Sequence, residues 1–246
     1  NSGVISSPAG DYLFEAEGGS EFIQINNSGI IEHSRSSFSS QATILSQSLE
    51  LINTGDIFSK FDFVDIFINN NFSRILDVKN SGNIIVDQTA FNIIDTTVSI
   101  SNEGYISSAT FIEKASSSDI SIRNSGTIDG IVGMTGSSFS DTLSLNNSGN
   151  IRFSNSLMED EIDTIKVVNS GTIETGGTAF LSDGFTLVNS GQIVADGAIV
   201  DADGSVKISN IGDISSNATL LNSTGLTSEI VNAGNMVATD KLFQLL

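Results

Sequence analysis

The pentapeptide Asn124-Ser125-Gly126-Thr127-Ile128 decides the fold of this chain, because close copies of it recur from one end of the sequence to the other. Each copy reads Asn-x-Gly-x-Ile, except that the last ends in methionine. The asparagines that open the eleven copies are Asn1, Asn27, Asn53, Asn80, Asn102, Asn124, Asn147, Asn169, Asn189, Asn210 and Asn232. Successive asparagines are 26, 26, 27, 22, 22, 23, 22, 20, 21 and 22 residues apart. A repeat of this length predicts a solenoid, in which each unit buries its apolar residues against its neighbours.

The residues before each pentad alternate between apolar and polar types, as in Val98-Ser99-Ile100-Ser101. This alternation predicts a strand with one face in the core. A second apolar pair follows each pentad after a short polar stretch, as in Phe111-Ile112 and Ala179-Phe180, and no helical period is present. We therefore predict an all-β, single-stranded, right-handed parallel β-helix of about eleven coils of 20–27 residues, the hand following from the general preference of parallel crossovers.

The asparagine and the glycine of the pentad have separate predicted roles. Glycine tolerates positive φ at the corner between two strands. Asparagine amides at equivalent positions of stacked coils can bond to the corner and to one another as a ladder. We interpret these residues as structural rather than ligand-binding. The predicted ladder comprises Asn27, Gly29, Asn53, Gly55, Asn80, Gly82, Asn102, Gly104, Asn124, Gly126, Asn147, Gly149, Asn169, Gly171, Asn189, Gly191, Asn210, Gly212, Asn232 and Gly234.

The unbroken repeat predicts one continuous solenoid domain over residues 1–246, with longer, Phe-rich coils over 1–80 and regular coils of about 22 residues over 81–246. The Phe-rich stretch contains Phe58, Phe61, Phe63, Phe67 and Phe72. Either these rings fill a wider core, or they form an exposed platform for sugar rings or a partner protein. Because the chain begins inside a pentad and ends in apolar residues, we expect it to be a piece of a longer protein.

The charge balance argues against two classes of partner. The 29 acidic and 10 basic residues give a net charge of -19, which repels phosphate backbones and anionic headgroups, so we expect no nucleic-acid binding. No apolar run approaches the roughly 18 residues that span a bilayer, so we expect no direct membrane insertion. The absence of cysteine excludes disulfides and thiolate sites.

Few residues suggest chemistry. His33 is the only histidine, and no known nucleophile, nucleotide-binding or zinc-protease motif surrounds it. Clustered carboxylates can cleave acidic polysaccharides, often with calcium and a base. The candidates are Glu159, Asp160, Glu161, Asp163, Asp201 and Asp203, with the bases Arg152 and Lys166. We interpret Glu159–Glu161 as a solvated turn and predict no catalytic residue. Weak calcium binding at Asp201 and Asp203 is the one cofactor that the sequence leaves open.

The Asn-Ser-Gly-Thr-Ile units at Asn124–Ile128 and Asn169–Ile173 resemble the passenger regions of bacterial autotransporters and related large surface adhesins. The resemblance covers the whole chain. It implies export across the cell envelope and display outside the cell. It carries no catalytic residue to this chain, because the shared motif is structural.

These observations favour a non-enzymatic, extracellular structural or adhesive rod at a bacterial cell surface. Its expected partners are another copy of itself through end-to-end stacking into a filament, other surface proteins, and glycans. The alternatives are a polysaccharide lyase or hydrolase of the pectate-lyase-like β-helix class, and a segment of a phage fibre.

Overall fold

A computed structural model describes residues 1–7, 14–15, 22–33, 42–46, 48–66, 74–94, 96–114, 119–136, 142–225 and 227–245. Within these ranges the chain is all-β, without a helix, and its parallel strands stack into a β-solenoid. The described residues accordingly include no helix with the length and apolarity needed to cross a bilayer. The predicted fold class is confirmed, while the right-handed sense of the coil stays a prediction.

The strands are short and numbered in chain order. The first fourteen are β1 (Val4–Ser7), β2 (Phe14–Glu15), β3 (Phe22–Asn27), β4 (Ile30–His33), β5 (Ala42–Ser46), β6 (Ser48–Asn53), β7 (Asp56–Ser59), β8 (Asp62–Ile66), β9 (Arg74–Asn80), β10 (Asn83–Val86), β11 (Thr89–Ile93), β12 (Thr96–Asn102), β13 (Tyr105–Lys114) and β14 (Asp119–Asn124). The remainder are β15 (Thr127–Gly136), β16 (Thr142–Asn147), β17 (Asn150–Phe153), β18 (Ile162–Asn169), β19 (Thr172–Thr175), β20 (Phe180–Asn189), β21 (Gln192–Ala195), β22 (Val200–Ala202), β23 (Val206–Asn210), β24 (Asp213–Ser216), β25 (Leu221–Ser223), β26 (Ser228–Asn232), β27 (Asn235–Ala238) and β28 (Phe243–Leu245).

Two parallel sheets meet at the pentads. Sheet A contains the strands that follow a pentad glycine, in the order β1-β4-β7-β10-β13-β15-β17-β19-β21-β24-β27, joined at the side by β2, β5, β8 and β11. Sheet B contains the strands that end at a pentad asparagine, namely β3, β6, β9, β12, β14, β16, β18, β20, β23 and β26, together with β22, β25 and β28. Equivalent pentad residues pair in register, for example Asn102 with Asn124 and Asn124 with Asn147.

The solenoid has about nine turns, slightly fewer than the eleven coils predicted. Ten described strands of sheet B end at a pentad asparagine, and these ten strands are separated by nine steps. The prediction counted pentads, whereas a turn is the interval between two equivalent strands.

The core lies between the sheets and is built from alternate strand residues. The pentad isoleucines point inward, so that Ile57, Ile106 and Ile173 are fully buried. Aromatic rings add an internal column along the axis, with centroid distances of 6.1 Å for Phe63–Phe91 and 5.7 Å for Phe91–Phe111. Large apolar side chains that interlock between turns fix the spacing of the turns as well as excluding water.

The sequence left open whether the rings of the Phe-rich stretch are buried in the core or exposed, and the structure shows one of each. Phe63 is buried in the core, whereas Phe58 is 37% exposed on the outward side of sheet A. Phe61 is half-buried and packs against the ring of His33. Phe67 and Phe72 lie outside the described residues.

An amide ladder joins the turns at the pentad corner. The side-chain Nδ2 of each pentad asparagine donates to the Oδ1 of the next, and these ten bonds, from Asn1 to Asn232, measure 2.7–3.0 Å. The same Nδ2 contacts two backbone carbonyls, which for Asn124 are those of Gly126 at 3.2 Å and Asn150 at 3.1 Å. The asparagines from Asn27 to Asn210 are buried, so the ladder satisfies polar groups that have no access to water.

The pentad glycines are required for a reason that the sequence analysis missed. Gly136 is the one described glycine with positive φ, at 131°, and it lies outside the pentads. The prediction of positive φ at the corner was therefore wrong. Instead, the corners stack so closely that a Cβ added to Gly149 would overlap the carbonyl oxygen of Gly126, and the same holds at the other pentad glycines from Gly29 to Gly234.

Candidate functional site

Carboxylates from three successive turns meet where the chain enters the pentad strands of sheet B. Ile162 pairs with Ser182 and Ser182 pairs with Ala202, so the residues that follow them also stack. These residues are Asp163, Asp183 and Asp203. Oxygens of Glu161, Asp183 and Asp203 all lie within 4.8 Å of one another. We call Glu161, Asp163, Asp183 and Asp203 the acidic corner.

Glu161 is the member of the acidic corner whose pKa is most clearly affected by its surroundings. Burial raises the pKa of Glu161, and the hydrogen bond to Asp183 together with the charges of Asp183, Asp203 and Asp163 raises it further. Carboxylate oxygens are the ligands that calcium prefers in proteins. The arrangement is therefore able to share a proton or to hold a hard cation between turns.

The structure regroups the carboxylates that the sequence singled out. Asp203 lies with Glu161 and Asp183 rather than with Asp201, whose Oδ1 accepts a 3.0 Å bond from Nδ2 of Asn222. Asp160 accepts a 2.6 Å bond from the backbone nitrogen of Gly136, and Glu159 is exposed.

Sequence reasoning missed Asp183, although a signal for it was present. Asp163, Asp183 and Asp203 are 20 residues apart, which matches the shortest repeat in this part of the chain, the 20 residues from Asn169 to Asn189. Acidic residues separated by one repeat length stack on successive turns.

The two bases proposed to accompany the carboxylates lie on different sheets. Arg152 is on the outward side of sheet A, where its Nε is 2.7 Å from Oε2 of Glu174. Lys166 is on the outward side of sheet B. Arg152 is therefore on a different sheet from the acidic corner, whereas Lys166 is on the same strand as Asp163, three residues further along.

His33 ends strand β4 and is 1% exposed. Its ring centroid lies 5.6 Å from that of Phe61. It lies at the base of a recess of about 150 Å³ that is lined also by Glu32, Lys60 and Asp87. His33 is therefore explained as an interior packing residue of an early turn.

The outward face of sheet B gathers basic residues that are scattered in the sequence. Lys79, Arg123, Lys166 and Lys207 stand one or three positions before a pentad asparagine, and the burial pattern places such positions outside. They are separated by 44, 43 and 41 residues, close to two repeats. Between Lys79 and Arg123 a trough of about 490 Å³ has serine side chains on its floor, among them Ser99, Ser101 and Ser121.

No protein-family model, curated protein or solved structure matches this chain.

Proposed function

We propose that this chain is a non-enzymatic, extracellular structural and adhesive repeat protein that presents a rigid rod at a bacterial cell surface. The observation that carries the proposal is the amide ladder from Asn1 to Asn232, whose ten bonds tie each of the eleven pentad corners to the next. A ladder that repeats the same contact specifies the register of each turn independently, which makes the stack stiff along its whole length.

Hydrogen bonds between neighbouring turns hold side chains in place on the outward faces. On sheet A, Nδ2 of Asn83 donates to Oδ1 of Asp56 at 2.7 Å, and the hydroxyl of Tyr105 donates to Asp129 at 2.9 Å. Side chains that are fixed before a partner arrives lose less conformational entropy on binding. This arrangement supports adhesion to an extended surface, such as a glycan or another surface protein.

Self-association is a further contact that we propose. The edge strand of a parallel sheet offers backbone donors and acceptors to an equivalent strand of a second copy. Because such a contact is head-to-tail, repetition of it produces an open filament.

The distribution of charged groups supports a role without catalysis. Glycosidic cleavage by carboxylates requires an acid and a base or nucleophile that flank one bond. Here Asp160 is bonded to backbone, and Arg152 is paired with Glu174 on sheet A, away from the acidic corner. The composition and the resemblance to autotransporter passengers support display outside the cell.

Two measurements test this proposal. Small-angle scattering should give an elongated particle, since about nine steps of roughly 4.8 Å make a stack about 45 Å long. Incubation with polygalacturonate, with and without calcium, should release neither unsaturated nor reducing ends above background. Release that is abolished by D160N or D163N would instead establish the polysaccharide lyase or hydrolase.

A further inference from the structure

The basic residues on the outward face of sheet B occur on alternate turns. Lys79, Arg123, Lys166 and Lys207 lie on β9, β14, β18 and β23, which are two steps apart along the sheet. The intervening strands β12, β16 and β20 carry serine, threonine, asparagine or valine at the equivalent positions. With about 4.8 Å between strands, cations recur roughly every 10 Å along this face.

The two central cations of this row differ from the outer two. Lys79 is 3.2 Å from Asp77 and 3.6 Å from Glu50, and Lys207 is 2.9 Å from Glu229. In contrast, no acidic side chain of the described residues lies within 4 Å of Arg123 or Lys166, and both are exposed. Unpaired cations are therefore concentrated on β14 and β18, in a chain whose net charge is -19.

The strand between these cations is polar and uncharged. Ser144 and Asn146 project outward from β16, next to Ser121 of β14. Two inter-strand steps and two residues along a strand place the Cα atoms of Arg123 and Lys166 about 12 Å apart. Hydroxyl and amide groups thus fill the space between two positive charges.

We propose that the outward face of β14, β16 and β18 binds an acidic linear polysaccharide that lies along the solenoid axis. Arg123 and Lys166 each hold a carboxylate or sulfate of the polymer, the guanidinium by paired hydrogen bonds and the ammonium as a point charge. Ser121, Ser144 and Asn146 bond to the sugar hydroxyls between them. This proposal rests on the proposed adhesive function and names the surface and the ligand class for it.

The spacing of charges favours a sugar polymer over a nucleic acid. In an extended chain of pyranose rings with one acidic group per disaccharide, the acidic groups recur at nearly the distance that separates the cations. A nucleic acid carries a phosphate at every nucleotide, and single strands are held mainly by stacking on aromatic rings. The nine outward positions of β14, β16 and β18 include no aromatic ring; they are Asp119, Ser121, Arg123, Thr142, Ser144, Asn146, Thr164, Lys166 and Val168.

The negative charge of the whole molecule limits the strength of this contact without preventing it. At physiological ionic strength charges are screened beyond about 8 Å, so acids on other faces act weakly at Arg123 and Lys166. Glu103 lines the same trough as Arg123, on the side away from β16. Asp119 lies on the outward side of β14 four residues before Arg123, and Asp163 lies on β18 three residues before Lys166, so both acids compete with the polymer for these cations. We therefore expect weak binding to each repeat and tighter binding to a polymer that engages several.

The test compares two double variants that remove the same charge from different places. R123Q/K166Q removes the central cations, and K60Q/K241Q removes two exposed cations from other parts of the solenoid. Binding to immobilised hyaluronate, neutral dextran and oligodeoxythymidylate is measured for each by biolayer interferometry. We expect hyaluronate to be preferred, R123Q/K166Q to weaken its binding about tenfold, K60Q/K241Q to change it less than about twofold, and R123K/K166R to retain it.

Several results would overturn the proposal. An equal loss in the two double variants would indicate a response to net charge alone. Equally tight binding of oligodeoxythymidylate would indicate unselective attraction of polyanions. If hyaluronate does not bind, or if dextran binds and R123Q/K166Q leaves that binding unchanged, the proposed polysaccharide surface is wrong. Either result would leave the proposed adhesive function standing. The rod itself fails only if scattering shows no elongated particle or if polysaccharide is cleaved. Thermal unfolding of each variant checks that the solenoid is unchanged.

Discussion

Nδ2 of Asn124 lies 2.8 Å from Oδ1 of Asn147, although 23 residues separate the two in the sequence. The same nitrogen reaches the carbonyl oxygens of Gly126, in its own corner, and of Asn150, in the next. One amide therefore closes its own turn and attaches it to the following turn. Both side chains are buried, so no water can replace a bond that is lost.

Replacement of Asn147 by alanine should destabilise the solenoid by about 2–4 kcal/mol, because it removes bonds to Gly149, Asn169 and Thr172 and leaves the Nδ2 of Asn124 with fewer partners. Urea unfolding followed by circular dichroism measures the change. The neighbouring Asn146 is exposed, so N146A should cost less than about 0.5 kcal/mol. Equal effects of the two substitutions would show that the ladder contributes little.

Replacement of Gly149 by alanine should lower the free energy of unfolding by about 1–3 kcal/mol. The new Cβ would overlap the carbonyl oxygen of Gly126 and force adjacent corners apart. Gly184 is the matched control, since a Cβ there would meet its nearest atom, the oxygen of Asp163, at 3.4 Å. G184A should therefore be nearly neutral in the same unfolding measurement. Asparagine, which tolerates positive φ, should be no better than alanine at position 149, and a stable G149N would contradict the steric explanation.

The acidic corner should make stability depend on pH. Because the pKa of Glu161 is raised in the folded state, folding favours its protonated form. This contribution is fully present below the unfolded-state pKa and is lost as pH rises through the raised folded-state pKa. E161Q should therefore have a higher Tm than the wild type at neutral pH, and the difference should shrink as pH falls through that window. E159Q, at an exposed acid outside the group, is the control in the same calorimetric series. If the difference in Tm between E161Q and the wild type were the same at every pH, the raised pKa of Glu161 would not explain it.

Replacement of Phe91 by alanine should cost about 3–5 kcal/mol, since Phe91 is fully buried and packs edge-on against Phe63 and Phe111. Phe58, from the Phe-rich stretch, is 37% exposed, so F58A should lower the free energy of unfolding by less than about 1 kcal/mol. Thermal unfolding of both variants measures the difference. A large loss of stability in F58A would contradict the exposed position of this ring on sheet A.

The sequence was sufficient to predict the solenoid, because one motif states the turn length and the inward position of its isoleucine in every repeat. It misled on the pentad glycines, since a single corner gives no information about how closely the next corner approaches. Asp183 and the row from Lys79 to Lys207 were overlooked for a related reason. Their grouping depends on positions one or two repeats apart, where lengths vary from 20 to 27 residues, so neighbours in sequence suggested other groupings.

The amide ladder also determines how the rod responds to force. In a parallel stack the hydrogen bonds between turns run along the axis, so an axial pull acts on the bonds of one turn at a time rather than on all turns together. A turn of 22 residues that peels away releases roughly 70 Å of extended chain in exchange for about 4.8 Å of stack. Under tension the solenoid should therefore lengthen in discrete, nearly equal steps, each of which lowers the load on the remaining turns.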